Sequence, residues 1–285
     1  MSSNVRAANV LAIRGQRFLW GERTYVMGIV NVTPDSFSGD GLLDREAAIE
    51  RGLALLAAGA DILDVGAEST RPGHTRIDDA EELRRLEPVV AGLRARAPEA
   101  VISIDSYKPA VLARSFAAGG DILNSIWGLD DELLDLAASA RVPVAIMHNK
   151  RVATYERDVV DEVLAYLDTQ ARRALAAGLA RETILLDPGI GFGKTPEHNL
   201  ALLGALDRLV ALGFPTLLGT SRKSTLGKLT GRGIGERTYG TAATVALAAA
   251  ARIDIVRVHD VAEMRDVANV ADAIVRGWRP TAWDG

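Results

Sequence analysis

The sequence predicts a single (β/α)8 barrel of the TIM type preceded by a small β-hairpin, and three observations predict it. Short β-branched or aliphatic runs recur along the 285 residues, each followed by a stretch of helical period. The runs are almost continuously apolar, as strands covered by helices must be. They number eight, enough for a parallel sheet to close on itself. An open doubly wound sheet is the alternative that the same alternation allows.

The elements follow in order. Leu11 to Gly21 alternates apolar and polar residues around Arg14-Gly15-Gln16 and reads as a hairpin beneath the barrel. Strands are then expected at Val26–Val32, Asp61–Gly66, Val101–Asp105, Ile122–Ile126, Pro143–His148, Ile184–Gly189, Thr216–Arg222 and Ile255–His259, with Ala-, Leu- and Arg-rich helical stretches between them. No Pro/Ser/Gly linker, charge block or low-complexity tract interrupts the series. Residues 1–285 therefore read as one domain, with the hairpin at about 11–21 and the barrel at about 26–277.

Composition removes several classes of function. The net charge of -4 and the lack of a basic stripe argue against nucleic acid as a partner. Cysteine is absent, which excludes disulfides, thiolate metal sites and cysteine nucleophiles and is consistent with a reducing cytoplasm. The Ala-rich run Ala242–Ala251 is too short to span a bilayer, and Met1–Val10 lacks the apolar core of a signal peptide, so neither a membrane nor export is expected.

In a barrel of this type the functional groups gather at the C-terminal ends of the strands. Those ends carry Asn31, Asp64, Asp105, Asn124, His148, Asp187, Lys223, Arg257 and His259. Any one of them is explained by capping or solvation; a ring of them is not. Period-two alternation puts Ile255, Arg257 and His259 on one face of the last strand. Arg257 suits a bidentate grip on phosphate with His259 as a second donor, and an ion pair to Asp260 or another carboxylate is the competing use. Asp105 and Asp187 end apolar runs, where a carboxylate needs a partner: an N–H-rich heterocycle, a metal, or Lys223.

Asp187-Pro-Gly-Ile-Gly-Phe-Gly-Lys194-Thr fails as a nucleotide phosphate loop, because Pro188 stands where the Walker glycine is needed, and fails as a dinucleotide fingerprint, because Lys194 stands at its third glycine. Its glycines read as backbone freedom beside a bound ring, followed by Thr195 as N-cap and Pro196 as first helical residue. Thr220-Ser221-Arg222-Lys223-Ser224 offers hydroxyls, cations and backbone donors to an anion such as a carboxylate; capping by Ser224 uses the same groups. Two Gly/Ser/Pro-rich loops, Thr33–Gly41 and Ala67–Thr75, suit lids, with Asp35 and Arg71 able to meet on closure.

From Met27 to about Gly277 the chain resembles the dihydropteroate synthases. The resemblance is carried by Gly-Ile-Val-Asn-Val-Thr-Pro-Asp-Ser-Phe-Ser (28–38) and Gly-Ala-Asp-Ile-Leu-Asp-Val-Gly-Ala-Glu-Ser-Thr-Arg-Pro-Gly (59–73), and by shorter matches at 103–108, 187–194, 221–224 and 257–261. It implies an alkyl/aryl transferase that joins 6-hydroxymethyl-7,8-dihydropterin diphosphate to p-aminobenzoate. It also implies roles: Asp105, Asn124, Asp187 and Lys223 on the pterin, with Arg257 stacked on the ring; Asn31, Arg257 and His259 on the diphosphate; Thr70, Arg71, Phe192 and Ser224 around p-aminobenzoate. Asn31 would also ligate Mg²⁺, Asp35 would belong to the closing loop, and the molecule would be a homodimer. The chain departs from the family pattern at Ala67, Ser125, Met147–Lys150 and the order Gly39-Asp40-Gly41. A corrinoid-dependent methyltransferase on a similar barrel, and a non-catalytic pterin binder, are the competing functions.

Overall fold

The computed structural model describes residues 10–32, 41–68 and 76–281. It opens with β1 (Val10–Ile13) and β2 (Gln16–Leu19), paired antiparallel with Ile13 opposite Gln16. The two-residue turn between them, Arg14-Gly15, has φ of 51° and 76°, the doubly left-handed turn whose twist matches a hairpin. The barrel follows as β3 (Tyr25–Asn31), α1 (Gly41–Ala57), β4 (Ile62–Gly66), α2 (Asp79–Arg96), β5 (Val101–Asp105), α3 (Pro109–Ala117), β6 (Ile122–Ser125), α4 (Asp131–Ala140), β7 (Val144–Met147) and α5 (Val159–Ala176). It is completed by β8 (Ile184–Asp187), α6 (Pro196–Leu203), α7 (Leu206–Val210), β9 (Leu217–Leu218), α8 (Ser224–Thr230), α9 (Thr238–Ala250), β10 (Ile255–Val258) and α10 (Val261–Val275).

The eight strands β3 to β10 pair in parallel in the order β8-β7-β6-β5-β4-β3-β10-β9. A parallel bridge between Leu186 and Thr216 joins the two ends, with Leu186 N–H donating to Pro215 O at 2.9 Å, so the sheet closes. β9 is two residues long, against the expected Thr216–Arg222. Thr216, just before it, is engaged by Asp254, which accepts from its N–H and its hydroxyl at 2.9 Å each. Downstream, the chain turns at Thr220–Lys223 with Arg222 at φ 58°, a conformation no strand holds.

Strand alternation sorts the apolar residues into two cores. Val26, Val30, Leu63, Val65, Ile102, Ile104, Leu123, Val256 and Val258 point outward and pack against the helices. Met27, Ile62, Val101, Ile122, Ala145, Leu185, Leu217 and Ile255 point inward and meet Leu11, Phe18 and Trp20 of the hairpin segment. The hairpin therefore plugs the lower end of the barrel, as its sequence predicts. Trp20 is pinned there by donating its indole N–H to Glu182 O at 3.0 Å, and Phe18 stacks on it with centroids 5.5 Å apart.

Candidate active site

One alternation step above that floor, the inward position becomes polar on four strands: Ile62 is followed by Asp64, Ile122 by Asn124, Leu185 by Asp187 and Ile255 by Arg257, while on a fifth Val101 leads through Ser103 to Asp105. These residues meet at the upper mouth. Arg257 donates from Nε to Asp64 Oδ2 at 2.5 Å and from Nη2 to Asp105 Oδ2 at 2.7 Å. Asn124 Nδ2 donates to the other oxygen of Asp64 at 3.1 Å. The competing partner Asp260 instead pairs with Arg222. Arg257 Nη1 makes no hydrogen bond among the described residues, so the guanidinium is anchored by two carboxylates and retains donors for an anion.

Asp64 was not among the residues given a role from sequence, although the alternation that exposes Arg257 applies to it equally: Ile62 faces inward, and so must Asp64. It is fully buried, and it organises the cluster. Burial, partly offset by Arg257, pushes the Asp105 carboxyl up to about 7, with the neighbouring Asp64 charge adding to the rise.

Asp187 and Lys223 do not pair with each other. Asp187 accepts from Gly189 N–H at 2.7 Å, and burial raises its pKa. Lys223 donates from Nζ to Ile190 O and holds its ammonium 4.0 Å from the centroid of Phe192; burial lowers it to about 8. A buried carboxylate and a partly buried ammonium thus stand at neighbouring strand ends with no ion pair between them, an arrangement that suits a ligand presenting both donors and acceptors.

The glycines of the 187–194 segment serve fit as well as conformation. Gly189 and Gly193 have φ of 70° and 56°, and a Cβ on either would lie 2.0 Å from His148 O or 2.1 Å from Lys150 O. The loop is thereby laid flat against the end of β7. Lys194 Nζ fastens it, reaching His148 Nδ1 at 3.0 Å, His148 O at 3.2 Å and Phe192 O at 3.0 Å. Burial lowers Lys194 to about 7, and burial with the nearby Lys194 and Lys150 charges lowers His148 to about 3. Lys194 has no assigned role in the sequence reading, because its contact with His148 joins the end of β7 to the segment after β8 and leaves no local pattern. Thr195 caps α6 in a capping box with His198, as predicted.

Ser224 is exposed and is the first residue of α8, whose N-cap position is Lys223 with no side-chain cap bond, so the capping use expected of Ser224 is not realised. Asn31 ends β3 and is exposed at the same mouth, and His259 follows β10 with its ring Nδ1 2.9 Å from Ser221 Oγ. A further cluster lies beside the mouth: the buried Lys108 bonds Glu68 Oε2 at 2.6 Å and Ile77 O at 2.6 Å and pairs with Glu82 at 2.7 Å. Asp35, Thr70 and Arg71 lie outside the described residues, as do most of the two expected lid loops.

Comparison with known proteins bears on this geometry. Residues 27–259 match the family model described as pterin binding enzyme. A dihydropteroate synthase of Clostridium beijerinckii is 41% identical over 93% of this chain and 100% of its own length. The structure of the Xanthomonas albilineans dihydropteroate synthase with 4-aminobenzoic acid superposes with a TM-score of 0.89 at 42% identity, covering 96% of this chain and 100% of that one. The same enzyme in complex with 7,8-dihydropteroate gives 0.85 at 41% identity, covering 95% and 100%. The chain belongs to the pterin-binding enzyme family and, within it, to the dihydropteroate synthases.

Proposed function

We infer that this protein condenses 6-hydroxymethyl-7,8-dihydropterin diphosphate with p-aminobenzoate, giving 7,8-dihydropteroate and diphosphate. The carrying observation is the polar set at the barrel mouth: Arg257 held by Asp64 and Asp105, with Asp187 bonded to Gly189 and Lys223 to Ile190 rather than to each other. Asp105, Asn124, Asp187 and Lys223 would bind the donor and acceptor edges of the pterin, and Arg257 would stack on its face. Phe192 and Ser224, with Thr70 and Arg71, would receive p-aminobenzoate. Asn31, Arg257 and His259 would hold the diphosphate.

The arylamine nitrogen attacks the pterin CH2 carbon, the C–O bond to diphosphate breaks, and the amine gives up a proton. No protein nucleophile is required, so the protein's task is to orient two rings and to stabilise charge leaving with the diphosphate. Arg257 Nη1 and His259 are the donors for that charge. The donor set fits a magnesium ion carried in by the diphosphate: Asn31 offers a neutral amide oxygen at an exposed strand end, and no group of three His, Cys, Asp or Glu among the described residues forms a closed protein site. Bound there, Mg²⁺ would neutralise part of the diphosphate charge.

The protein is proposed to act as a homodimer. Tyr239 and Leu247 on α9 and Val270 and Ile274 on α10 are large apolar residues exposed to solvent, beside a groove of about 680 Å³ lined by Leu203, Leu226 and Leu229. A cysteine-free chain in which no described helix is long and apolar enough to cross a membrane fits a cytoplasmic enzyme. Mixing the protein with both substrates, with and without Mg²⁺, tests the reaction directly. Diphosphate release that requires both substrates supports it; pterin binding without release would leave a methyltransferase-like or non-catalytic barrel.

A further inference from the structure

We propose that Ser221 is a positioning residue that fixes His259 in the Nε2-protonated tautomer, so that the imidazole offers Nε2–H to the departing diphosphate; the functional half of this rests on the reaction given above. The His259 backbone N–H donates to Ser221 Oγ at 3.1 Å, and the ring Nδ1 of the same histidine lies 2.9 Å from that oxygen. The backbone N–H has no alternative role: it donates, and Ser221 Oγ accepts. Ser221 is buried, and among the described residues its hydroxyl proton has one acceptor within reach, His259 Nδ1. Were Nδ1 protonated, two donors would converge on one oxygen and the buried hydroxyl proton would have no partner, the costly outcome for a polar group away from water. Nδ1 is therefore the acceptor, and a neutral ring with an accepting Nδ1 carries its proton on Nε2.

Both halves of this contact are held rigidly. The Ser221 turn is fixed by Arg222, whose left-handed backbone is bracketed by Arg222 N–H donating to Thr241 Oγ1 at 3.2 Å and by Arg237 Nη1 donating to Arg222 O at 2.9 Å. The next residue along each segment repeats the link, since Arg222 pairs with Asp260. Arg51 on α1 donates to His259 O at 3.0 Å. Residues 221–222 and 259–260 thus form two adjacent cross-links between the end of β9 and the end of β10, which leaves the imidazole little choice of orientation.

The test is ¹⁵N spectroscopy of the full-length protein labelled at its four histidines, with His259 assigned by the signals lost in His259→Gln. In the unsubstituted protein near neutral pH, Nδ1 of His259 is expected to resonate as an unprotonated acceptor and Nε2 as a protonated nitrogen. Ser221→Ala should abolish that preference and lower kcat about 10- to 100-fold with KM for p-aminobenzoate little changed, while Ser221→Thr, which keeps the hydroxyl, should restore both. A protonated Nδ1 in the unsubstituted protein overturns the proposal without recourse to any variant. Altered ring signals in Ser221→Ala with unchanged kcat overturn the positioning role. Failure to release diphosphate from the two substrates would instead overturn the reaction, and the spectra would still decide the tautomer.

Discussion

Two regions of one barrel interior, one or two alternation steps apart along the strands, are made of opposite materials. The floor is Met27, Ile62, Val101, Ile122, Ala145, Leu185, Leu217 and Ile255 sealed by Phe18 and Trp20. The mouth above it is Asp64, Asp105, Asn124, Asp187 and Arg257. Burial of the floor stabilises the fold in proportion to the area removed from water. Burial of the mouth adds little to it, because taking charges out of water costs several kcal/mol per ion, about as much as their mutual attraction returns. A chain selected for stability alone would continue the apolar layer upward. The place where the inward positions cease to be apolar is where the molecule spends stability on chemistry.

The largest test of that contrast is Arg257→Ala. It should remove about 3 kcal/mol or more of transition-state stabilisation, a drop in kcat/KM of over a hundredfold. It should also lower the unfolding free energy by about 3–5 kcal/mol, because Asp64, fully buried, loses its cation. The double variant Arg257→Met/Asp64→Leu sharpens the comparison: it should recover stability in denaturant titrations and recover no turnover. Near-wild-type turnover in Arg257→Ala would break it. On the floor, Leu185→Ala should cost about 2–5 kcal/mol of stability while the folded fraction keeps its kcat; a selective loss of kcat there would mean that floor and mouth are not separable.

The same contrast explains how far the sequence could be read. Periodicity is local, so the eight strands, the plugging hairpin, the inward face of Arg257 and the Thr195 cap were all legible from neighbouring residues. What was illegible is contact across the ring. Arg257 reaches Asp64 and Asp105 over separations of 193 and 152 residues, and which strand ends face one another depends on the stagger of the closed sheet. Gly189 reads in sequence as backbone freedom, which its φ of 70° uses; the approach of His148 O adds a demand for space that the sequence does not show. The brevity of β9 was hidden for a similar reason, since it follows from Asp254 engaging Thr216 and from a left-handed arginine that no propensity predicts. The Ser221–His259 contact joins two strand ends and has no local signal at all.

A smaller effect separates the two ligands within the mouth. Asp187→Asn should weaken pterin binding by about 1–3 kcal/mol and leave p-aminobenzoate affinity nearly unchanged, because the pterin is the partner with matching N–H donors. Titration calorimetry with each ligand alone measures both. Stability should not fall, since the amide oxygen can still accept from Gly189 N–H and the charge that burial disfavours is gone. Equal losses for the two ligands would sink the assignment of Asp187 to the pterin.

The smallest effect expected is the contribution of the mouth to the pH dependence of stability, read at His148. His148 is pushed down to about 3 from 6.5 by burial and by the Lys194 and Lys150 charges. As pH falls below 6.5 the unfolded chain takes up a proton at this position and the folded chain does not, so the unfolded state binds more protons and stability declines until about pH 3, where the folded ring titrates too. Asp105, pushed up to about 7 from 3.8, works in the opposite sense: between those values the folded state binds more protons, so its contribution rises as pH falls from 7 and is complete below 3.8. The measurement is therefore the difference between proteins rather than the limb itself. His148→Gln removes one of the two titrations, and its Tm should fall less steeply than that of the parent between pH 6.5 and pH 3, from a neutral-pH value lowered by the lost ring contacts with Tyr155 and Tyr166. Parallel Tm curves for the two proteins would mean that the His148 ring is not held neutral by the mouth, and the charge pattern drawn for the β7–β8 side of the site would have to be redrawn.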